Sequence, residues 1–185
     1  HMYIASRNSP RPVGLDVINI NGSYNTTLKA VGTCGHGATT VWADTTEIFY
    51  NSCGRVISYY VNLTARNNAT DTCSANQNNP SQGPKIWADT YRVYLSCTRN
   101  SAAGVSDLLI FNRSTLTMLN NVSITSLGER PGGGGVFADG ELVYVARRNG
   151  NLGCSGSATG FTDSNSVFIL NTSDTAKNWS VASSS

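Results

Sequence analysis

The chain has 185 residues, 39% of them hydrophobic and 13% charged, with a formal net charge of +2. Those values suit one domain with a core, or a few small repeating units, and exclude disorder and coiled coil. No run of Lys or Arg points to nucleic acid, and no apolar stretch reaches the roughly 18 residues that cross a bilayer, so neither partner is expected.

Asn, Ser, Thr and Gly make up more than two fifths of the chain, while Lys and Glu are scarce. This favours turns and strands over long helices, and the expected class is all-β. No signal peptide is recognisable, and His1 and Met2 read as the remnant of an expression tag, which leaves residues 3–185 as a single repeat domain.

In chain order, MYIASRNS from Tyr3 opens as a strand, GLDVINI follows as another and TTLKAVG as a third. TTVWAD then ends in an aromatic-Ala-Asp, and EIFYNS and RVISYYV continue with strand alternation. The stretch after Asn62 is irregular. The cycle returns as KIWAD, RVYLSC, DLLIFN and LTMLNNVSIT, and again as GVFAD, ELVYVAR, SVFILN and NWSVASS. Ala43-Asp44, Ala88-Asp89 and Ala138-Asp139 stand about 45 and 50 residues apart. Self-similarity at that period marks a repeat architecture, with copies starting near Tyr3, Ile48, Val93 and Val143. Asp44, Asp89 and Asp139 are assigned to turn structure, since a carboxylate accepts hydrogen bonds from its own turn's amides. Trp42, Trp87 and Phe137 are assigned to the core.

PGGGGVFADGELVYVARRNG, with its run of small residues, apolar strand, Gly or Asp turn and VYVA-like strand, resembles the NHL, YVTN and LVIVP class of β-propeller blades. The resemblance implies a propeller-like fold of about four blades, each of four antiparallel strands. The first copy has no aromatic-Ala-Asp strand ahead of it. Its blade therefore lacks the innermost strand, which identifies either a piece of a larger propeller or a strand supplied by another chain. Fold alone assigns no function.

In such blades the Ala-Asp turns lie at one end and the long, dissimilar loops at the other, and long loops on a repetitive scaffold are where binding usually resides. Second strands end there in Arg7-Asn8, Arg99-Asn100 and Arg148-Asn149, and Arg147 is the alternative inward-pointing residue of its pair. These seven residues are the candidate ligand-binding set, because guanidinium groups around one opening suit acidic sugars or peptides. The competing reading makes Arg-Asn a strand terminator. Tyr59 and Tyr60 are adjacent on a strand, so one faces out as a candidate sugar platform, and Trp179 is an edge or contact residue.

Cys34, Cys53, Cys73, Cys97 and Cys154 show no metal-ligand spacing, and dispersed cysteines in such a chain suggest disulfides in an oxidising compartment. Cys34 to Cys53 and Cys73 to Cys97 join neighbouring loops, and Cys154 is left over. Eight Asn-X-Ser/Thr triplets begin at Asn21, Asn25, Asn62, Asn68, Asn112, Asn121, Asn171 and Asn178. They lean towards a secreted glycoprotein.

Catalytic groupings are sparse. His36 in GTCGHGA lacks a nucleophile motif, and Asp16, Asp71, Asp107, Glu129 and Asp163 have no readable pairing. No cofactor or metal is expected. The reading is an extracellular or cell-surface module that binds a glycan or another protein without catalysis. The alternatives are a glycan hydrolase or lyase on the same scaffold, and a structural unit that self-associates through its incomplete first blade.

Overall fold

A computed structural model describes residues 1–6, 14–19, 21–29, 40–52, 54–71, 84–100, 105–123, 135–147, 166–173 and 178–182. The described residues form strands and turns only, in four antiparallel sheets. Sheet one has three strands, β1 (Met2–Ser6), β2 (Gly14–Ile18) and β3 (Tyr24–Lys29). Sheet two holds β4 (Thr40–Ala43), β5 (Glu47–Ser52), β6 (Arg55–Tyr60) and β7 (Ala65–Thr70). Sheet three holds β8 (Lys85–Ala88), β9 (Arg92–Asn100), β10 (Val105–Asn112) and β11 (Met118–Ser123). Sheet four holds β12 (Val136–Asp139), β13 (Leu142–Arg147), β14 (Ser166–Asn171) and β15 (Asn178–Ala182). Every sheet is a meander, each strand pairing with its neighbours in sequence. The irregular stretch after Asn62 thus supplies a fourth strand, β7, and sheet one lacks the strand the repeat pattern leaves out.

The sheets meet along one side, where β1 neighbours β4, β4 neighbours β8 and β8 neighbours β12. Between consecutive sheets lie three apolar layers. Leu15, Val17 and Leu28 of sheet one meet Ile48, Tyr50 and Ile57 of sheet two. Phe49 and Val56 from the other face of sheet two meet Val93, Leu95, Leu109 and Phe111 of sheet three. Tyr94, Leu108 and Ile110 then meet Val143, Val145, Phe168 and Leu170 of sheet four.

Strand periodicity explains this sorting. Ile48 and Tyr50 point one way and Phe49 the other, and their cross-strand partners agree, since Tyr50 faces Ile57 and Leu109 faces Leu95. Sheets two and three are covered on both faces, so β5 is buried at all six positions whereas β7 on the outer edge is mostly exposed or half-buried. Each fully buried Phe or Leu here contributes about 1.5–3 kcal/mol of apolar transfer.

The aromatic residues before Ala-Asp join the core unequally, and Trp42 and Trp87 pack against the apolar layers from their edges. Trp42 and Trp87 are half-buried and Phe137 is 46% exposed. The three rings form a row along β4, β8 and β12, with centroids 6.0 Å apart for the two Trp and 4.8 Å for Trp87 and Phe137. They lie on the strands where sheets converge, so each ring packs partly on its counterpart instead of wholly between two layers.

Bulges recur at one place. In sheets one, two and three the pairing of the last two strands slips by one residue, leaving Asn25, Arg66 and Leu119 as the extra residues on the outer strands. A further slip in β9 leaves Arg99 between Thr98 and Asn100, which face Ser106 and Val105.

Candidate functional site

One end of the sheets carries the first-to-second and third-to-fourth turns, here the turn end. Asp44 Oδ1 accepts from the Thr46 and Glu47 amides at 2.7 and 2.8 Å, and Asp89 Oδ1 accepts from the Tyr91 and Arg92 amides at 2.8 Å each. These two Asp residues therefore hold their turns as their position in the repeat suggests. The third turn relies on Gly140, whose φ of +60° suits a two-residue hairpin between Asp139 and Leu142.

A second device ties the two kinds of turn together. The Val61 amide donates to Thr46 O, the Arg113 amide to Tyr91 O and the Thr172 amide to Glu141 O, at 3.1, 2.9 and 2.8 Å. The same brace thus appears in sheets two, three and four. In the third-to-fourth turns Asn21, Asn62, Asn112 and Asn171 each accept at Oδ1 from the amide two residues on. In three of them the Ser hydroxyl donates to the same oxygen. Four Asn-X-Ser/Thr triplets are therefore also turn formers.

At the seam of sheets two and three, the Arg113 side chain, 12% exposed, organises the turn end. Its Nε donates to Glu47 Oε2 at 2.6 Å, its Nη1 to Asp89 O at 2.6 Å and its Nη2 to Asp44 Oδ2 at 2.5 Å. The guanidinium lies 5.3 Å from the Trp42 ring centroid and 5.5 Å from that of Phe49. Arg66 pairs with the remaining oxygen of Glu47 and lies over the Tyr60 ring. A cleft of about 260 Å³ opens beside them, lined by Glu47, Arg66, Thr90, Tyr91, Arg113 and Ser114 among others. Two guanidinium groups stand against two carboxylates, so the cluster has no surplus positive charge to recruit an anion. Burial pushes the Asp44 carboxyl up, but hydrogen bonds from Arg113 and Thr46 outweigh it and hold the group below its usual value of 3.8.

The sequence reading passed over Arg113, Glu47 and Arg66. Arg113 is the middle residue of an Asn-X-Ser triplet and Arg66 occupies an outer-strand bulge, positions that the repeat leaves variable. Only the isolated charge of Glu47, directly before the apolar run Ile48 to Tyr50, was a visible signal.

The opposite end bears the second-to-third loops and the crossings between sheets, here the loop end. Arg99 and Asn100 close β9 and Arg147 closes β13 at this end. Arg7, Asn8, Arg148 and Asn149 lie outside the described residues, as do Cys34, Cys53, Cys73, Cys154, His36, Glu129 and Asp163. Arg55, which opens β6, donates to Asn68 Oδ1 at 2.7 Å on the outer strand. Cys97 is buried near the end of β9 and is disulfide-bonded.

No family model and no curated protein sequence matches this chain. Its chemistry therefore rests on its own residues.

The described acids among the candidate catalysts, Asp16, Asp71 and Asp107, occupy separate structural posts. Asp16 Oδ1 accepts from the Thr27 hydroxyl at 2.6 Å within sheet one, and Asp71 Oδ2 accepts from Asn51 Nδ2 at 2.6 Å in sheet two. Asp107 is fully buried opposite Cys97 in sheet three. These three lie on or beside different sheets, and among the described residues no two of them come together. Of the adjacent tyrosines, Tyr59 stacks on Tyr50 at 6.1 Å and Tyr60 is 42% exposed. Burial, and then the neighbouring Tyr59, hold the Tyr50 hydroxyl far above its usual pKa.

Proposed function

We propose that the four sheets are blades of a β-propeller-like arrangement, similar to the NHL, YVTN and LVIVP class, and that the chain is an extracellular, non-catalytic module binding a glycan or a protein through its loop end. The observation that carries this reading is the repeated brace at the turn end. Val61, Arg113 and Thr172 join the two kinds of turn in the same way, and Asp44, Asp89, Glu47 and Arg113 are engaged in internal bonds. Side chains committed to scaffold have little left for a partner. The sequence that differs from copy to copy, and the arginines that close β9 and β13, belong to the other end.

The test is binding of the intact chain and of Arg99→Ala, Arg147→Ala and Arg148→Ala variants to arrays of acidic and neutral glycans and of extracellular proteins. Circular dichroism serves as the check on folding. A tenfold or greater loss for the variants supports the reading, and unchanged binding by folded variants overturns the arginine site.

A second reading is self-association, in which the edge of β1 that is unpaired among the described residues receives a strand from another polypeptide. Light scattering over a range of concentrations separates the two. A mass that rises with concentration and falls when β1 is disrupted by Ile4→Pro supports assembly, and a constant monomer mass counts against it.

A further inference from the structure

The eight Asn-X-Ser/Thr triplets all fall on the same part of each sheet. Asn21, Asn62, Asn112 and Asn171 stand where the third strand passes to the fourth, and Asn25, Asn68, Asn121 and Asn178 stand on the fourth strands β3, β7, β11 and β15. Other segments rich in the required residues carry none, since residues 148–165 contain three Asn, three Ser and two Thr and no triplet. The stretch DTCSANQNNPSQG, residues 71–83, contains three Asn, two Ser and one Thr and no triplet. Composition alone does not sort triplets in this way.

Turn chemistry accounts for the first four, whose Asn side chains shape the bend. It does not account for the four on strands. At Asn68 and Asn121, Asn and the hydroxyl residue two places on share one face of the strand. Asn68 and Thr70 are both exposed, as are Asn121 and Ser123, and Asn25 is exposed at a bulge. Asn25 Nδ2 donates one of its two hydrogens to Asn19 Oδ1 at 3.3 Å, and Asn68 uses its oxygen, not its nitrogen, to accept from Arg55.

We infer that the outer strands form an N-glycosylated rim, with Asn25, Asn68 and Asn121 as strand sites and the exposed Asn21 and Asn62 as turn sites. The inference rests on the extracellular reading above, because it requires passage through a secretory pathway. The co-reactant is an oligosaccharide carried on a lipid diphosphate. The Asn side-chain nitrogen forms the bond to the first sugar carbon, that carbon's bond to the diphosphate breaks, the lipid diphosphate leaves and one amide proton is released.

The rim also has a physical purpose. Among the described residues each outer strand has one unpaired edge, the kind of surface on which sheets of different molecules join. Bulges at Asn25, Arg66 and Leu119 already disrupt three of these edges, and hydrated glycans would screen them further. Partners are then steered away from the rim, towards the loop end and the β1 side.

The full chain, directed through the secretory pathway of a yeast host, is digested with an amidase that converts glycan-bearing Asn to Asp in heavy-oxygen water, and the peptides are mapped by mass. Heavy Asp is expected at positions 25, 68 and 121. Thr70→Ala and Ser123→Ala should abolish it at 68 and 121 respectively while leaving each Asn in place. Treating the folded protein with the same enzyme should increase its weight-average mass at high concentration. Unmodified Asn at all three strand positions of a secreted, folded chain overturns the rim. A modified rim on a chain that binds nothing on the arrays leaves the rim standing and removes the binding reading instead.

Discussion

Arg113 Nη2 meets Asp44 Oδ2 at 2.5 Å across 69 residues of sequence, joining the third-to-fourth turn of sheet three to the first-to-second turn of sheet two. The same guanidinium reaches Glu47, whose side chain is 8% exposed, and covers the Trp42 and Phe49 rings. One side chain thus closes the seam between two sheets from the turn end.

Arg113→Ala should destabilise the chain by about 2–4 kcal/mol, since it strips Glu47 of one partner and uncovers two rings. Arg113→Lys keeps the charge but loses the fork and should lie between wild type and Ala. Urea unfolding measures both. A Lys variant as stable as wild type would show that charge alone matters.

The Asp44 carboxyl gives this seam a pH dependence. Its folded pKa lies below the ordinary 3.8, so its contribution is fully present above that value and is lost as pH falls through the folded pKa. Thermal melts from pH 5 to pH 2 should show a drop below about pH 4. Asp44→Asn should lower stability at neutral pH and shallow the acid drop, leaving the two proteins closer at pH 2 than at pH 7.

Tyr94 is the alkaline counterpart. Burial first, then the hydrogen bond to Asp89 at 2.7 Å, push its hydroxyl up to about 12, with Arg92 partly opposing. Because the folded pKa is raised, the neutral phenol stabilises the fold below its unfolded value near 10, and that stability disappears as pH rises through about 12. Tyr94→Phe should cost about 1 kcal/mol at neutral pH and remove one late-ionising tyrosine from an absorbance titration.

Asn112 Oδ1 accepts from the Ser114 amide, the Ser114 hydroxyl and the Thr115 amide. Asn112→Ala should therefore cost about 1–2 kcal/mol by denaturant unfolding, in the manner of a lost helix cap. Asn112→Asp keeps the acceptor and should recover most of the loss. That recovery separates the turn role from glycosylation, which Asp does not accept.

Much of this scaffold was legible because its signals are local. A strand betrays itself by alternation, and the Asp of TVWADTTE or KIWADTYR can be placed because its hydrogen-bond partners are two and three residues away. Phe137 misled because a large apolar residue on a repeating strand reads as core, whereas its ring depends on the Trp87 ring of another sheet, about 50 residues distant in sequence. The Arg113 cluster was hidden for the same reason. Its partners Asp44 and Glu47 lie more than 60 residues away, and no periodicity connects them.

The slip at Arg99 shows how such a chain changes length without harm. VYLSCTRN of β9 is one residue longer than VYVARRN of the β13 copy, and an odd insertion would normally turn every later side chain to the opposite face. Here the surplus is taken up within one step of the β9 to β10 pairing, after Cys97 and before Val105, so Leu108 and Ile110 still face sheet four while Leu109 and Phe111 still face sheet two. A change in length is tolerated at this spot, because the error is absorbed before it reaches the hydrophobic register.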